Sequence, residues 1–444
     1  MVDLAEAPPV IQAEAAAKTD PGLHRLGLAV ICLVGVALGT TILPFSAVDA
    51  ARGPMMLELG WSADQLRLSY SLMLWAGAIG AWPIGILTDR LGARRVVAAA
   101  AVAIALVGLL LPFVGHVWQF CVLFALLGVC SSFGLAYSKI VASLFDRHRG
   151  LAFGIFAAAG SALSMSLPQA TQQLVHDGGW RSTFSILGLA ALALAPLLYF
   201  GLARPGAQAS AIGTGDADSI GLKASEALKT RAFWLIVLAG LLCALVSGIV
   251  MSGFVAAVPH RGLGQAVDLR NAPFGVLAYL AGPICAGVLL DRTKSPAVAI
   301  AAVIGSAATS LIWGLVSPSF GGKPLLVASY ALGAFAASAQ APVAGYLLTR
   351  YFGLKSFATV YSLQTLIQSV VIGVCTPAIA LWMGAPGDAP LVFAAGTLAP
   401  LTAAVLYLLL PAYRFGPAPD PGLAAEPSGG GARPFRTWWS GAPS

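Results

Sequence analysis

Residues 85–95 read GILTDRLGARR, and four of these eleven positions (Asp89, Arg90, Arg94 and Arg95) are charged in a chain of 444 residues that is only 10% Asp, Glu, Lys and Arg. Long apolar stretches flank them, WAGAIGAWPI at 75–84 and VVAAAAVAIALVGLLLPFV at 96–114. The pattern predicts two apolar helices joined by a short charged turn. Gly92 permits the sharp reversal, and the arginines hold the turn at a membrane–water interface.

The rest of the chain repeats this alternation. Hydrophobic residues make up 58% of it and the mean hydropathy is +0.85, far from the balance of soluble domains. Its apolar runs approach the roughly 20 residues that cross a bilayer as helix. Twelve spans are expected near 26–48, 64–87, 96–115, 118–143, 151–174, 181–203, 232–258, 271–290, 296–317, 324–349, 357–382 and 390–411. Strand-type alternation in ten-residue segments is missing, so helices rather than a barrel satisfy the backbone in lipid. Gly, Ala and Ser inside the spans, as in AAAGSALSMS and ALGAFAASAQ, allow close helix packing where lipid gives no hydrophobic drive.

Lys and Arg set the orientation. Eighteen of the 25 fall on the side that holds both termini, six on the other, and Lys139 lies inside span four. Both termini are therefore expected in the cytoplasm, in a plasma membrane of the bacterial inner-membrane type. The net charge of +7 follows from this topology, and no soluble basic module with stacking aromatics points to nucleic acid. Residues 1–25 lack the basic and apolar regions of a cleavable signal. The six Cys lie in spans without metal-ligand spacing, the five His never pair at i, i+4, and no GxxxxGK[ST] loop occurs. No metal, no other cofactor and no ATP-driven step is expected.

Between Arg204 and Arg231 the sequence turns to Gly, Ser, Ala and Asp and then to SIGLKASEALKTRAF, which reads as a linker followed by a short amphipathic helix beginning at Ser225. The organisation is thus a tail at 1–25, six spans over 26–203, a linker at 204–230, six spans over 231–411 and a tail at 412–444. Internal repetition agrees with it. PIGILTDR at 83–90 recurs as PICAGVLLDR at 283–292, and SLFDRHRG after span four resembles TRYFGLKS after span ten. Two six-helix halves related by an axis along the membrane normal fit that repeat.

In these residues the chain resembles the major facilitator superfamily over about 26–411. Its loop motif between helices two and three is matched by Gly85, Asp89, Arg90, Gly92, Arg94 and Arg95. The resemblance implies a gate latch that forms when the cytoplasmic side closes, with Arg149 of the first half and Asp291 and Arg292 of the repeated half in the same role; a plain positive-inside anchor is the alternative. LGWSADQLRLSYSL, RGLAFGIFAAAGS, GGWRSTF, EALKTRAFW and RYFGLKSFATVYSL are similar to the monocarboxylate transporter and oxalate:formate antiporter group. That similarity implies transport of a small organic anion, with a proton or in exchange for a counter-anion. Three departures stand against it. Span eight is uncharged through VLAYLAGPICAGVLL, Gln364 occupies the place of a Lys in span eleven, and Phe124 stands near the place of the superfamily's span-four Arg.

Polar side chains near the middle of cavity-facing spans are the candidate solute contacts: Thr40, Thr41, Tyr70, Ser132, Tyr137, Ser164, Ser247, Tyr279, Gln340, Gln364 and Gln368, with Lys139 as the one cation. Gln364 and Gln368 share a helical face at i, i+4, and exposing two amides to lipid would cost several kcal/mol. Each Ser or Thr has the alternative of bonding back to its own helix, and Lys139 the alternative of snorkelling to the interface. No Asp or Glu lies near mid-span, which favours uniport, anion exchange or a proton carried on the substrate. Export of a neutral or amphipathic solute suits the same cavity. A membrane sensor would need a sizeable output domain, and both tails are short.

Overall fold

The computed structural model describes residues 21–36, 42–145, 148–202, 221–260, 273–293, 295–316, 322–382 and 389–415. They form α1 (Pro21–Val34), α2 (Ile42–Leu59), α3 (Ala63–Leu91), α4 (Ala93–Leu110), α5 (Val117–Ser131), α6 (Gly134–Leu144) and α7 (Arg149–Gly201). The second half contains α8 (Ala224–Ala227), α9 (Arg231–His260), α10 (Pro273–Thr293), α11 (Ala297–Leu315), α12 (Gly322–Phe352), α13 (Phe357–Trp382) and α14 (Ala389–Leu408). Helix occupies each of the twelve predicted stretches. Among the described residues there is no named strand, only an isolated bridge between Gly221 and Gly353.

Local chemistry explains the breaks. Ser62 starts α3 with a capping box: its hydroxyl accepts from the Gln65 N–H at 3.3 Å while the Gln65 side chain accepts from the Ser62 N–H at 2.9 Å. Gly92 alone joins α3 to α4, at φ 86°, a left-handed conformation suited to glycine. Span four is two helices, with a turn at Ser132 and Phe133. Spans five and six differ from expectation in being directly joined. A single non-helical residue, Gly179 at φ 78°, breaks the 53-residue α7.

Eight helices among the described residues are long and apolar enough to cross a membrane, by length and composition. Large apolar side chains such as Leu106, Phe200, Leu289 and Leu398 point outward, as a lipid-facing surface requires. The linker helix is shorter than read from sequence. It has four residues, opens at Ala224, and is capped by Glu226 accepting from the Lys223 N–H.

The two halves meet chiefly along α3–α13 and α7–α10. The end of the bundle that carries residues 85–95 is called proximal below, the other distal. At the proximal end an apolar cluster crosses between halves, with Val141, Ala142 and Phe153 of the first packed among Phe233, Tyr346 and Phe357 of the second.

Candidate functional site

Asp89, in the last turn of α3, sits at the start of α13 in the opposite half. Its carboxylate accepts from the Thr359 N–H at 2.7 Å, the Thr359 hydroxyl at 2.6 Å and the Ala358 N–H at 3.3 Å. These are donors that the first turn of a helix leaves unsatisfied, and a carboxylate there also meets the positive end of the helix dipole. On its other side Asp89 pairs with Lys139 at 2.7 Å, both side chains being under a tenth exposed. Lys139 is thus turned into the protein, not toward the interface.

The second half repeats the arrangement in reverse. Asp291, near the end of α10, accepts from the Gly150 and Leu151 N–H groups at the start of α7, each at 2.8 Å. Arg149 is buried beside them and donates to the Ala142 carbonyl at 3.1 Å.

Both seams need glycine. A Cβ on Gly85 would lie 2.7 Å from the Ala358 carbonyl and 2.0 Å from the Ser362 hydroxyl. In the other seam a Cβ on Gly150, Gly154 or Gly287 would come within 2.5 Å of backbone oxygens of the facing helix. Backbones this close leave no room for a water layer, so the proximal end is shut. The remaining motif residues are peripheral. Arg90, Arg95 and Arg292 are exposed, and the Arg94 guanidinium lies 4.6 Å from the Tyr199 ring centre.

The span 10–11 turn is further tied on its outer face. The Leu222 N–H donates to the Phe352 carbonyl and the Phe415 N–H to the Arg350 carbonyl, both at 2.9 Å. Tyr351 donates to the Pro411 carbonyl at 2.7 Å. Burial pushes the Tyr413 phenol up, Tyr346 and Tyr351 push the same way, and Arg350 opposes them.

Deeper in the bundle, Gln364 and Gln368 of α13 both face Gly240 of α9. A Cβ there would lie 2.4 Å from the Gln368 amide nitrogen and 3.5 Å from that of Gln364. Gln364 is 3% exposed, and its carbonyl oxygen has no partner among the described residues. The other expected contacts diverge. Gln340 donates to Ser306 at 3.2 Å, toward α11. Ser132 donates to the Gly77 carbonyl of α3, and Ser164 bonds back to Ser161 in its own helix. Tyr137 packs against Gly35, just past α1. Tyr279 is half-buried on α10, and Tyr70 lines a separate distal cavity with Asp49 and Arg52. Thr40, Thr41 and the Ser247 side chain lie outside the described residues.

Sequence reasoning missed Thr359, Ser362, Gly150, Gly154 and Gly287. The GLAFG spacing at 150–154 was a signal for two of them, since small residues four apart mark close helix contacts in membranes. It also missed a distal tie, in which Glu58 pairs with Arg181 and accepts from the Trp180 indole at 2.5 Å, while Arg181 donates to the Pro112 carbonyl at 2.9 Å.

Known proteins share this architecture. The family model described as Major Facilitator Superfamily matches residues 28–319. An uncharacterized MFS-type transporter of Bacillus subtilis, YcxA, is 27% identical over 56% of the chain, and human monocarboxylate transporter 11 is 29% identical over 65%. The matched regions span 61% and 62% of the lengths of those two relatives. Among solved structures, the proton:xylose symporter XylE superposes with a TM-score of 0.64 at 16% identity, covering 87% of this chain and 95% of its own.

Proposed function

Because the chain belongs to the Major Facilitator Superfamily, and so is a membrane transporter, we propose that it moves a small organic anion, a monocarboxylate, by alternating access. The observation that carries this reading is the Gln364–Gln368 pair. Two amides lie one turn apart on one face of a helix that also forms a seam, and one carbonyl is buried without a partner among the described residues. The amide N–H groups suit a carboxylate, and the free carbonyl suits a hydroxyl or a protonated acid. Lys139, the one mid-span cation, is committed to Asp89. The solute is then held by neutral donors, which favours a single charge over two, because an uncompensated dianion is far costlier to desolvate. A relationship to monocarboxylate transporter 11 supports the same class.

The two aspartate seams are the latch. By the distribution of Lys and Arg the proximal end is cytoplasmic, so this conformation is closed on the inside. Opening inward requires Asp89 and Asp291 to release the first turns of α13 and α7.

Counterflow of labelled lactate, pyruvate, formate and oxalate in proteoliposomes tests the proposal. Exchange of a monocarboxylate, lost in Gln364→Ala and stimulated by an inward-acid gradient if the proton rides on the substrate, is the expected result. If no carboxylate moves through folded protein, the organic-anion reading fails. The uncharged middle of α10, with Ala278, Ala281 and Gly282, then directs attention to neutral amphipathic solutes.

A further inference from the structure

A cavity of about 230 Å³ opens inside the first half, away from both seams and from the glutamine pair. Three helices build it. Tyr70 lies seven residues into α3 and Phe124 seven residues into α5, which places both about 10 Å in from the distal end at ~1.5 Å per residue. α2 runs past them and contributes Asp49, Arg52 and Met55. The apolar wall is densely packed. Phe120 is 1% and Met55 1% exposed, Phe120 and Phe124 have ring centres 3.9 Å apart, and Trp61 packs 5.1 Å from Phe120. Below it α3 and α5 touch backbone to backbone, since a Cβ on Gly128 would meet the Met73 carbonyl. The cavity is thus a pocket lined by α2, α3 and α5.

Its mouth carries two opposite charges. Asp49 and Arg52 are one helical turn apart on α2, both exposed, and Tyr70 lies within electrostatic reach of each. Residues at i, i+3 face the same way, yet the two are not joined by a salt bridge, and neither has a hydrogen-bond or ion-pair partner among the described residues. A carboxylate and a guanidinium, each with free capacity, therefore stand side by side over an apolar pocket. A simple anion would be drawn by Arg52 and repelled by Asp49, and a simple cation the reverse. A solute with an ammonium and a carboxylate on neighbouring atoms satisfies both.

We propose that this pocket is a second solute site, distinct from the central one, that takes a zwitterion with an apolar body, of which an apolar α-amino acid is the smallest example. The carboxylate lies on Arg52, the ammonium on Asp49 with the Tyr70 hydroxyl beside it, and the side chain enters against Met55, Phe120 and Phe124. The volume equals that of about eight waters at ~30 Å³ each, enough for a branched or aromatic side chain and too little for a dipeptide of bulky residues.

Equilibrium binding of radiolabelled L-phenylalanine to the purified full-length protein, read by scintillation proximity, tests the site. Saturable binding is expected, with 3-phenylpropionate and 2-phenylethylamine competing at least tenfold more weakly than unlabelled L-phenylalanine or L-leucine. Arg52→Gln and Asp49→Asn should each weaken binding by about tenfold or more, the scale of a charge-assisted hydrogen bond. Gln364→Ala should leave it in place. No saturable binding, equal competition by 3-phenylpropionate, tighter binding in Asp49→Asn, or loss of binding in Gln364→Ala would each overturn the proposal. Should a charge variant fail to fold, judged by its melting temperature, the competition series on the wild type decides alone.

Discussion

Asp89 concentrates more polar contacts than any other side chain described above, and most of them cross between the halves. Replacing it by Asn keeps one acceptor for the first turn of α13 but removes the carboxylate that pairs with the buried Lys139 ammonium at 2.7 Å. Removing one partner of a buried ion pair costs about 3–5 kcal/mol, so Asp89→Asn is expected to lower the melting temperature and to slow counterflow. The double variant Asp89→Asn, Lys139→Met should regain part of the stability while transport stays impaired, because the buried ammonium is gone but the latch is not restored. A double-mutant cycle of thermal unfolding measures this coupling, and additive losses would contradict it. The sequence placed Lys139 inside span four and left snorkelling to the interface open. It could not show the partner, since a residue's depth follows from its position along a helix, whereas its direction depends on how that helix is rotated against neighbours far away in sequence.

At the level of helices, glycine decides where two elements touch. Gly287→Ala places a methyl 2.3 Å from the Gly150 carbonyl, a backbone atom that cannot swing aside, and overpacking of this kind costs about 1–3 kcal/mol. Gly53→Ala, in α2 with nothing within 4 Å, should instead be neutral or stabilising by up to about 1 kcal/mol. Thermal unfolding of the two variants in the same detergent gives the comparison, and equal behaviour would show that the seam is not tightly packed. The helices themselves were legible from apolar length and from breakers such as Gly92, because lipid leaves the backbone almost no other choice. Their lateral partners were legible only in part. The same amide side chain points toward α9 at Gln364 and toward α11 at Gln340, and polarity alone does not separate these cases. The joining of spans five and six was missed for a similar reason. HDGGWRS announces a reversal of direction without saying how many residues it uses.

For the molecule as a whole, Asp89 and Asp291 each cap a helix of the half to which they do not belong, and the proposed latch has the two seams acting together. If the proposed latch is right, conditions that open the proximal end must release both at once. Hydrogen exchange should then rise together at the Gly150–Leu151 and Ala358–Thr359 amides when the solute shifts the population inward. Exchange that rises at one seam alone would rule out a coupled latch.

The joint at Gly179 bears on how such a movement is delivered. Residues 149–178 form a single shaft of about 45 Å at ~1.5 Å per residue, with the Asp291 seam at one end and the one-residue joint at the other. Just past that joint, Trp180 and Arg181 are pinned to Glu58 and Pro112. A tilt of a few degrees about the pinned end is not absorbed in a slack loop but emerges at the far end as a travel of several ångström, so a small change at the distal face is geared up at the proximal one.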